Sequence, residues 1–294
     1  MRRLLLIANP TSAGGRVLRL LPEVHARLDE LGLVHRTAIT RDLDHARELT
    51  LEALTVGETP VAFSGDGVAG AVAGAASTLP DSTFGILPGG SGNDFCRHVG
   101  IPRDALAACA VLAHGEPHPI DLGEAGGSRF LGIASLGFDS EANAVANAAP
   151  RALGRGIYLY GALVALARWR PAEFEVSADG RFERFEGWSV ICANSSVYGG
   201  GMYVAPDARV DDGLLDLVLI RKTGRARFLR SLPKVFNGSH VRDANVSVLR
   251  AREVRVSASR PFAVFADGDP IAKLPATVRV LPAAVRLLLP ATAA

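Results

Sequence analysis

Val61-Ala62-Phe63-Ser64-Gly65-Asp66-Gly67 and Ile86-Leu87-Pro88-Gly89-Gly90-Ser91-Gly92-Asn93-Asp94 follow one plan: a short apolar run, a glycine turn, then a helix-compatible stretch. Strand, glycine turn and helix together present backbone N–H groups and a helix N-terminus to an anion. Glycine lets a phosphate approach closely and permits positive φ. A single such turn more often only reverses the chain. Two of them, each carrying an acid (Asp66, Asp94), point to a nucleotide with its metal ion.

Outward from these turns the pattern alternates. Leu4–Ala8 reads as a strand and Arg16–Leu31 as a helix with Leu18, Leu21, Val24, Leu28 and Leu31 on one face. Strand Val34–Ile39 and helix Asp44–Leu54 follow. Strands Val61–Phe63 and Phe84–Leu87 feed the two turns, with helices over Ala69–Ala76, from Phe95, and over Arg103–His114. Such βα units build a parallel sheet with helices on both faces and the ligand at the carboxyl ends of strands. From Pro119 short β-rich runs take over: Phe130–Ser135, Phe174–Ala178, Trp188–Asn194, Leu214–Ile220, Asn245–Leu249, Val254–Ala258, Phe262–Ala266, Val278–Leu281 and Val285–Leu289. Their spacing predicts an antiparallel sandwich, interrupted by helices near Tyr158–Ala167 and Arg225–Phe236. The expected division is an α/β nucleotide-binding domain over 1–120 and a β-sandwich domain over 121–294, whose last strand can pack back on the first. The cleft between them is the expected ligand site.

Composition excludes several classes. The chain has 294 residues, 48% hydrophobic and 21% charged, so it is globular and long enough for two cores. A net charge of +2 gives no reason to expect nucleic acid. Cys96, Cys109 and Cys192 form no CxxC pair and have no histidine at ligand spacing, which favours a reducing compartment. The apolar run after Met1-Arg2-Arg3 ends at Asn9-Pro10, too soon for a signal peptide. The longest uncharged apolar run, Ile157–Ala167, falls short of the roughly 20 residues of a membrane span.

Five motifs in order resemble the soluble bacterial diacylglycerol kinases, relatives of the sphingosine and ceramide kinases. They are Asn9-Pro10-x-Ser12 with Gly14-Gly15; Ser64-Gly65-Asp66-Gly67; Leu87 to Phe95; Gly199-Gly200-Gly201-Met202 with Asp211-Asp212-Gly213-Leu214-Leu215-Asp216; and Asp267-Gly268-Asp269. The resemblance covers the whole chain. It implies an ATP- and Mg2+-dependent kinase that phosphorylates the hydroxyl of diacylglycerol or a similar lipid. Such an enzyme would be cytoplasmic, working at the inner membrane face on a lipid presented at the surface, and could form a homodimer. The implied nucleotide residues are Asn9, Thr40, Ser64, Gly65, Asp66, Gly67, Val68, Gly70, Gly90, Ser91, Asn93 and Asp94. A structural Mg2+ is implied at Asp212, with the backbone oxygens of Arg209 and Leu214. Asp269 is implied as proton acceptor, with Asp66 beside it in catalysis.

The chain departs from the family pattern in places. Val68 stands where the family has threonine, Gly70 and Ala71 replace an Asn-Glu pair, and Asp269 replaces glutamate, which shortens the carboxylate's reach. Two readings compete with the lipid kinase: an NAD kinase-like enzyme, which shares a Gly-Asp-Gly loop, and a non-catalytic nucleotide- or lipid-binding relative.

Each residue also has a plainer reading. Asp66 can cap the helix that follows, as can Asn93 and Asp94. Asp267-Gly268 is a hairpin signal in its own right, and Asp211, Asp212 and Asp216 can belong to a solvated turn. The basic stretch Arg221–Lys234 can be a surface helix, packed through Phe228, Leu232, Val235 and Phe236, or a face toward an anionic membrane. Ile157–Ala167, bounded by Arg155 and Arg168, can line an acyl-chain cleft or fill core.

Overall fold

The computed structural model describes residues 2–149 and 157–291, with side chains of the 157–168 helix described from Tyr160 onward. Arg155 lies outside the described residues. The chain divides into two compact units: Met1–Leu122 with Arg129–Leu131 and Pro282–Ala294, and Gly123–Ser128 with Gly132–Leu281.

The first unit is built from β1 (Arg3–Ala8), α1 (Arg16–Glu30), β2 (Val34–Ile39), α2 (Leu43–Thr55), β3 (Thr59–Ser64), α3 (Asp66–Ala76), β4 (Thr83–Pro88), α4 (Asp94–Val99) and α5 (Ala105–His114). The strands lie parallel in the order β4-β3-β1-β2. β1, β3 and β4 are almost wholly buried runs, as expected of strands covered on both faces. β5 (Glu116–Ala125) and β6 (Ser128–Phe130) follow.

The second unit contains β7 (Ile133–Gly137), α6 (Phe138–Ala148), α7 (Ile157–Arg168), β8 (Ala172–Ala178), β9 (Arg181–Ala193), the two-residue pair β10 (Val197–Tyr198) and β11 (Met202–Tyr203), and β12 (Leu215–Arg221). After these come α8 (Arg225–Val235), β13 (Val246–Ala251), β14 (Glu253–Ala258), β15 (Ala263–Ala266), β16 (Asp269–Lys273) and β17 (Ala276–Leu289). Antiparallel pairing runs β16-β15-β7-β9-β8-β14, with β12 and β13 branching from β9. The first part of β17 pairs with β14 in the second unit. Its later part, at Arg286 and Leu287, pairs in parallel with β4 in the first.

Three readings of the sequence need correction. α3 begins at Asp66 and not Ala69, because Gly65 alone supplies the extended residue before the helix, so Asp66, Gly67 and Val68 form its first turn. Phe130–Ser135 is not one strand, since the chain leaves β6 at Phe130 and re-enters pairing only at Ile133. Val278–Leu281 and Val285–Leu289 are one strand; Ala283, at φ 47°, makes a local kink, and its N–H is held by the buried Asp121 carboxylate at 2.7 Å. Helix α6 carried no expectation, its sequence being rich in alanine, asparagine and acids without an apolar stripe.

The packing of α6 on α7 explains Gly161. A Cβ there would sit 2.5 Å from the Ala142 carbonyl oxygen, so only glycine permits so close an approach.

Candidate active site

The two glycine turns interlock into one platform. The Ser64 carbonyl, at the end of β3, accepts from Gly89 N–H at 2.7 Å and Gly90 N–H at 3.1 Å. Gly65 and Gly90 face each other so closely that a Cβ on Gly90 would lie 2.5 Å from the Gly65 Cα. Gly89 is equally constrained, since its Cβ would meet Val17 at 2.4 Å. Gly65 and Gly90 are thus required by the approach of backbone to backbone, and Gly89 by the Val17 and Phe63 side chains packed on it, before any ligand arrives.

Asp66 joins the turns a second time. It opens α3, yet its carboxylate reaches the other turn, accepting from the N–H of Asp94 and of Phe95, each at 3.1 Å. It therefore caps α4 and not its own helix. Burial pushes its acid group up; the two N–H donors oppose that, and the neighbouring Asp94 carboxylate adds to it. Each oxygen of an ionised carboxylate keeps a further lone pair beyond its N–H donor, so the cap does not exhaust Asp66 as an acceptor.

Asn93 has φ 51°, the left-handed region that asparagine tolerates better than most residues. Its side chain brackets Gly90, with Oδ1 accepting from Gly90 N–H at 2.9 Å and Nδ2 donating to the Gly90 carbonyl at 3.0 Å. Asn93 thus shapes the loop and does not cap α4. Asp94 is buried, whereas Ser91 is exposed at the loop tip.

Asn9, at the end of β1, accepts from Thr11 N–H and Thr11 Oγ1, both at 3.0 Å. The turn it starts runs through Ala13, Gly14 and Gly15 in left-handed conformation, and Ser12 Oγ donates to the Gly89 carbonyl at 3.3 Å. Thr40, at the end of β2, is buried and donates its hydroxyl proton to the Asp42 carbonyl at 2.6 Å. Asn9, Thr40, Ser64 to Gly67 and Gly90 to Asp94 therefore gather at the carboxyl ends of neighbouring parallel strands. Val68 and Gly70 are buried within α3, with Val68 only 4% exposed. Gly65, the residue before α3, offers no side-chain cap, and the first-turn N–H groups of a helix lie outside its own ladder, an arrangement that can receive an anion.

The remaining expected residues lie in the second unit. Asp267 and Gly268, at φ 51° and 98°, form a two-residue turn between β15 and β16, with Ala266 paired to Asp269. Positive φ at both central residues is the mirror-image turn that suits a tight hairpin. Asp269 is half-buried at the start of β16. Its neighbour Asp267 does more structural work than the sequence indicated, since Oδ1 accepts from Gly132 N–H at 2.9 Å and Ile133 N–H at 3.3 Å.

In the acidic turn, Asp212 Oδ1 accepts from Leu214 N–H at 3.1 Å, and Arg209 pairs with Asp211 at 3.0 Å. Arg250 brings its guanidinium to 3.6 Å from Asp216 and 3.9 Å from Asp212, and donates to the Asp207 carbonyl at 3.2 Å. Asp216 is buried, and its Oδ2 has no hydrogen-bond partner. The carboxylates and carbonyls of this turn, with the orphaned Asp216 oxygen, are donors that suit a hard cation, although the Arg250 guanidinium already stands against Asp212 and Asp216. Among the described residues no three His, Cys, Asp or Glu side chains cluster as a metal cage. A Mg2+ ion in either unit would therefore rely on one or two carboxylates, with carbonyls, water or phosphate completing its shell.

One buried pair escaped sequence reading. The Tyr198 hydroxyl donates to Asp139 at 3.1 Å, burial pushes both groups up, and Asp139 Oδ2 has no partner. The two residues lie on separate elements, so no local pattern could have linked them.

Comparison with known proteins fits this geometry. Residues 3–125 match the model of the diacylglycerol kinase catalytic domain, and residues 132–289 that of the YegS C-terminal NAD kinase beta sandwich-like domain. A diacylglycerol kinase of Mycobacterium tuberculosis is 34% identical over 97% of this chain and 94% of its own. One of Bacillus subtilis is 30% identical over 92% and 90%. A crystal structure of a diacylglycerol kinase from Bacillus anthracis superposes with a TM-score of 0.76 at 19% identity, covering 98% of this chain and 97% of that one. With both family models matching in order and relatives alike over nearly their whole length, this chain belongs to the diacylglycerol kinase family of lipid kinases.

Proposed function

We propose that this kinase transfers the γ-phosphoryl group of ATP, with Mg2+, to the hydroxyl of diacylglycerol or a similar lipid at the inner membrane face. The observation that carries the reading is the platform made by Ser64–Gly67 and Gly89–Asp94, which leaves the uncapped N-terminus of α3 beside two acids. Phosphoryl transfer asks a protein mainly to hold phosphates, balance their charge and align the acceptor. The first-turn N–H groups of α3 and the exposed Ser91 hydroxyl would hold the phosphates. Asp66 and Asp94 would hold Mg2+, which neutralises phosphate charge when bound. In the second unit Asp212, with the carbonyls of Arg209 and Leu214, would hold the structural Mg2+. Asp269 would accept the proton of the lipid hydroxyl.

The test is a labelled-ATP assay against diacylglycerol, a lipid extract and NAD+, with mass analysis of the product. Phosphatidate formation supports the reading. Label on NAD+ alone would replace it with the NAD kinase-like alternative, and nucleotide binding without turnover on any acceptor would remove it.

A further inference from the structure

Helix α8 presents to solvent a surface that the fold of the second unit does not use. Only Phe228 is buried on it, stacked on Trp188 with ring centroids 3.9 Å apart and edge-on to Phe138 at 5.0 Å. Arg225 donates to the Trp169 carbonyl at 2.9 Å, fixing the start of the helix. These anchors set its rotation, with Ser231, Leu232 and Val235 half-buried on the Phe228 side.

Two adjacent strips then face outward. At 3.6 residues per turn, Leu229, Pro233 and Phe236 fall in one, and Arg227, Arg230 and Lys234 in the next. Leu229 is 42% exposed and Phe236 57%, so Phe236 does not join the packed face as the sequence suggested. Lys234 is paired with Asp243, whose carboxylate also feels the Arg227 guanidinium, while among the described residues Arg230 belongs to no ion pair. Residues 221 to 236 contain six cations and no acid.

A soluble helix normally covers its outer face with mixed charge. Exposed leucine and phenylalanine beside three exposed cations that share one acid, Asp243, instead match an anionic bilayer, with the apolar side chains entering the interface and the cations meeting headgroups. We propose that α8 is the membrane-docking surface of this protein, selective for anionic lipid. The proposal rests on the lipid-kinase reading for its purpose but not for its test.

The test is sedimentation of the full chain with vesicles of phosphatidylcholine, with and without about a third phosphatidylglycerol, across a salt series. Wild type should bind the anionic vesicles and release them as salt rises. Arg227→Gln with Arg230→Gln should lower partition about thirtyfold at low salt. A Phe236→Trp variant should blue-shift its fluorescence with anionic vesicles only, placing the contact at α8. Equal binding to neutral vesicles, an unaffected double variant or an unshifted signal from the introduced tryptophan would each overturn the proposal. The last two would do so by assigning the contact elsewhere, as a protein partner for α8 would also predict. If vesicle binding behaves as expected while no lipid is phosphorylated, docking stands and the kinase reading alone falls.

Discussion

Asp66 holds together two turns that a sequence reading treats as separate ligand loops. Removing its carboxylate in Asp66→Ala leaves the Asp94 and Phe95 N–H groups without an acceptor. An unsatisfied buried donor costs about 1–3 kcal/mol, so this variant should lose stability as well as turnover. Asp66→Asn keeps one of the two acceptors and sets its amide NH2 against the other N–H, so it costs less than alanine and is the cleaner chemical test. It should melt below wild type but above Asp66→Ala and lose lipid phosphorylation while folded, and a variant of wild-type activity would remove Asp66 from the chemistry. The raised acid group adds a pH signature. Between its unfolded value and its higher folded value the native state binds more proton than the unfolded chain, so stability falls as pH rises through that window. Denaturant titrations from pH 4 upward without metal should show this decline in wild type and not in Asp66→Asn.

Asp269 sets a second contrast at the same scale. As a proton acceptor it should make Asp269→Asn slower in kcat by roughly 10²–10⁴, with ATP binding little changed. Asp269→Glu should retain or raise activity by restoring the family's reach. If Asp269 only shapes the hairpin, the Asn variant will be near normal, because the positive-φ burden falls on Asp267 and Gly268. In that outcome Asp267→Ala, which removes the acceptor for Gly132 and Ile133, should be the more damaging change.

At the scale of elements, α3 shows why part of the site was hidden. Its strand, turn and order were legible, because buried β3 and β4 read as short apolar runs and glycine marks their ends. Its start was not, because Asp66-Gly67-Val68 look like turn residues unless the cap that Asp66 makes on another helix is known. Val68 then changes meaning. Read as a loop residue, it is a missing phosphate contact; at 4% exposure in the first helical turn it is packed. Val68→Thr should therefore destabilise by about 1 kcal/mol through a desolvated hydroxyl and leave the Michaelis constant for ATP unchanged. A several-fold lower constant would mean that the side chain meets phosphate after all. The same limit applies to Asp139 with Tyr198 and to Arg250 with Asp212 and Asp216. Pairs made by tertiary packing leave no local period to read. By contrast, the two glycine turns were legible as strand, turn and helix, while Asn9 and Thr40 were expected only from the family resemblance; the structure sets all of them at strand ends, because a parallel sheet places those ends on one edge.

At the scale of the whole molecule, the two compact units allow nucleotide and structural-metal effects to be read apart. Trp169 and Trp188, the two tryptophans of the chain, are both buried in the second unit, so tryptophan fluorescence melts report that unit. Far-UV circular dichroism reports both, and calorimetry gives the enthalpy of each transition. A ligand that binds only the folded first unit at a hundred times its dissociation constant adds about 2.7 kcal/mol. For a unit of this size that is roughly 8 °C. Mg2+-ATP should therefore raise the transition assigned to the first unit by about that amount, and Asp66→Asn should abolish the gain. Chelation acts on the other unit. If Asp212 with the Arg209 and Leu214 carbonyls holds a structural Mg2+, EDTA should lower the fluorescence-detected midpoint, and added Mg2+ should restore it. If the Arg250 guanidinium alone balances Asp212 and Asp216, EDTA will leave that midpoint unmoved, while Arg250→Met lowers it by exposing an uncompensated buried carboxylate. An EDTA-insensitive midpoint in wild type, made Mg2+-dependent by Arg250→Met, would show that the arginine has taken over the cation's place.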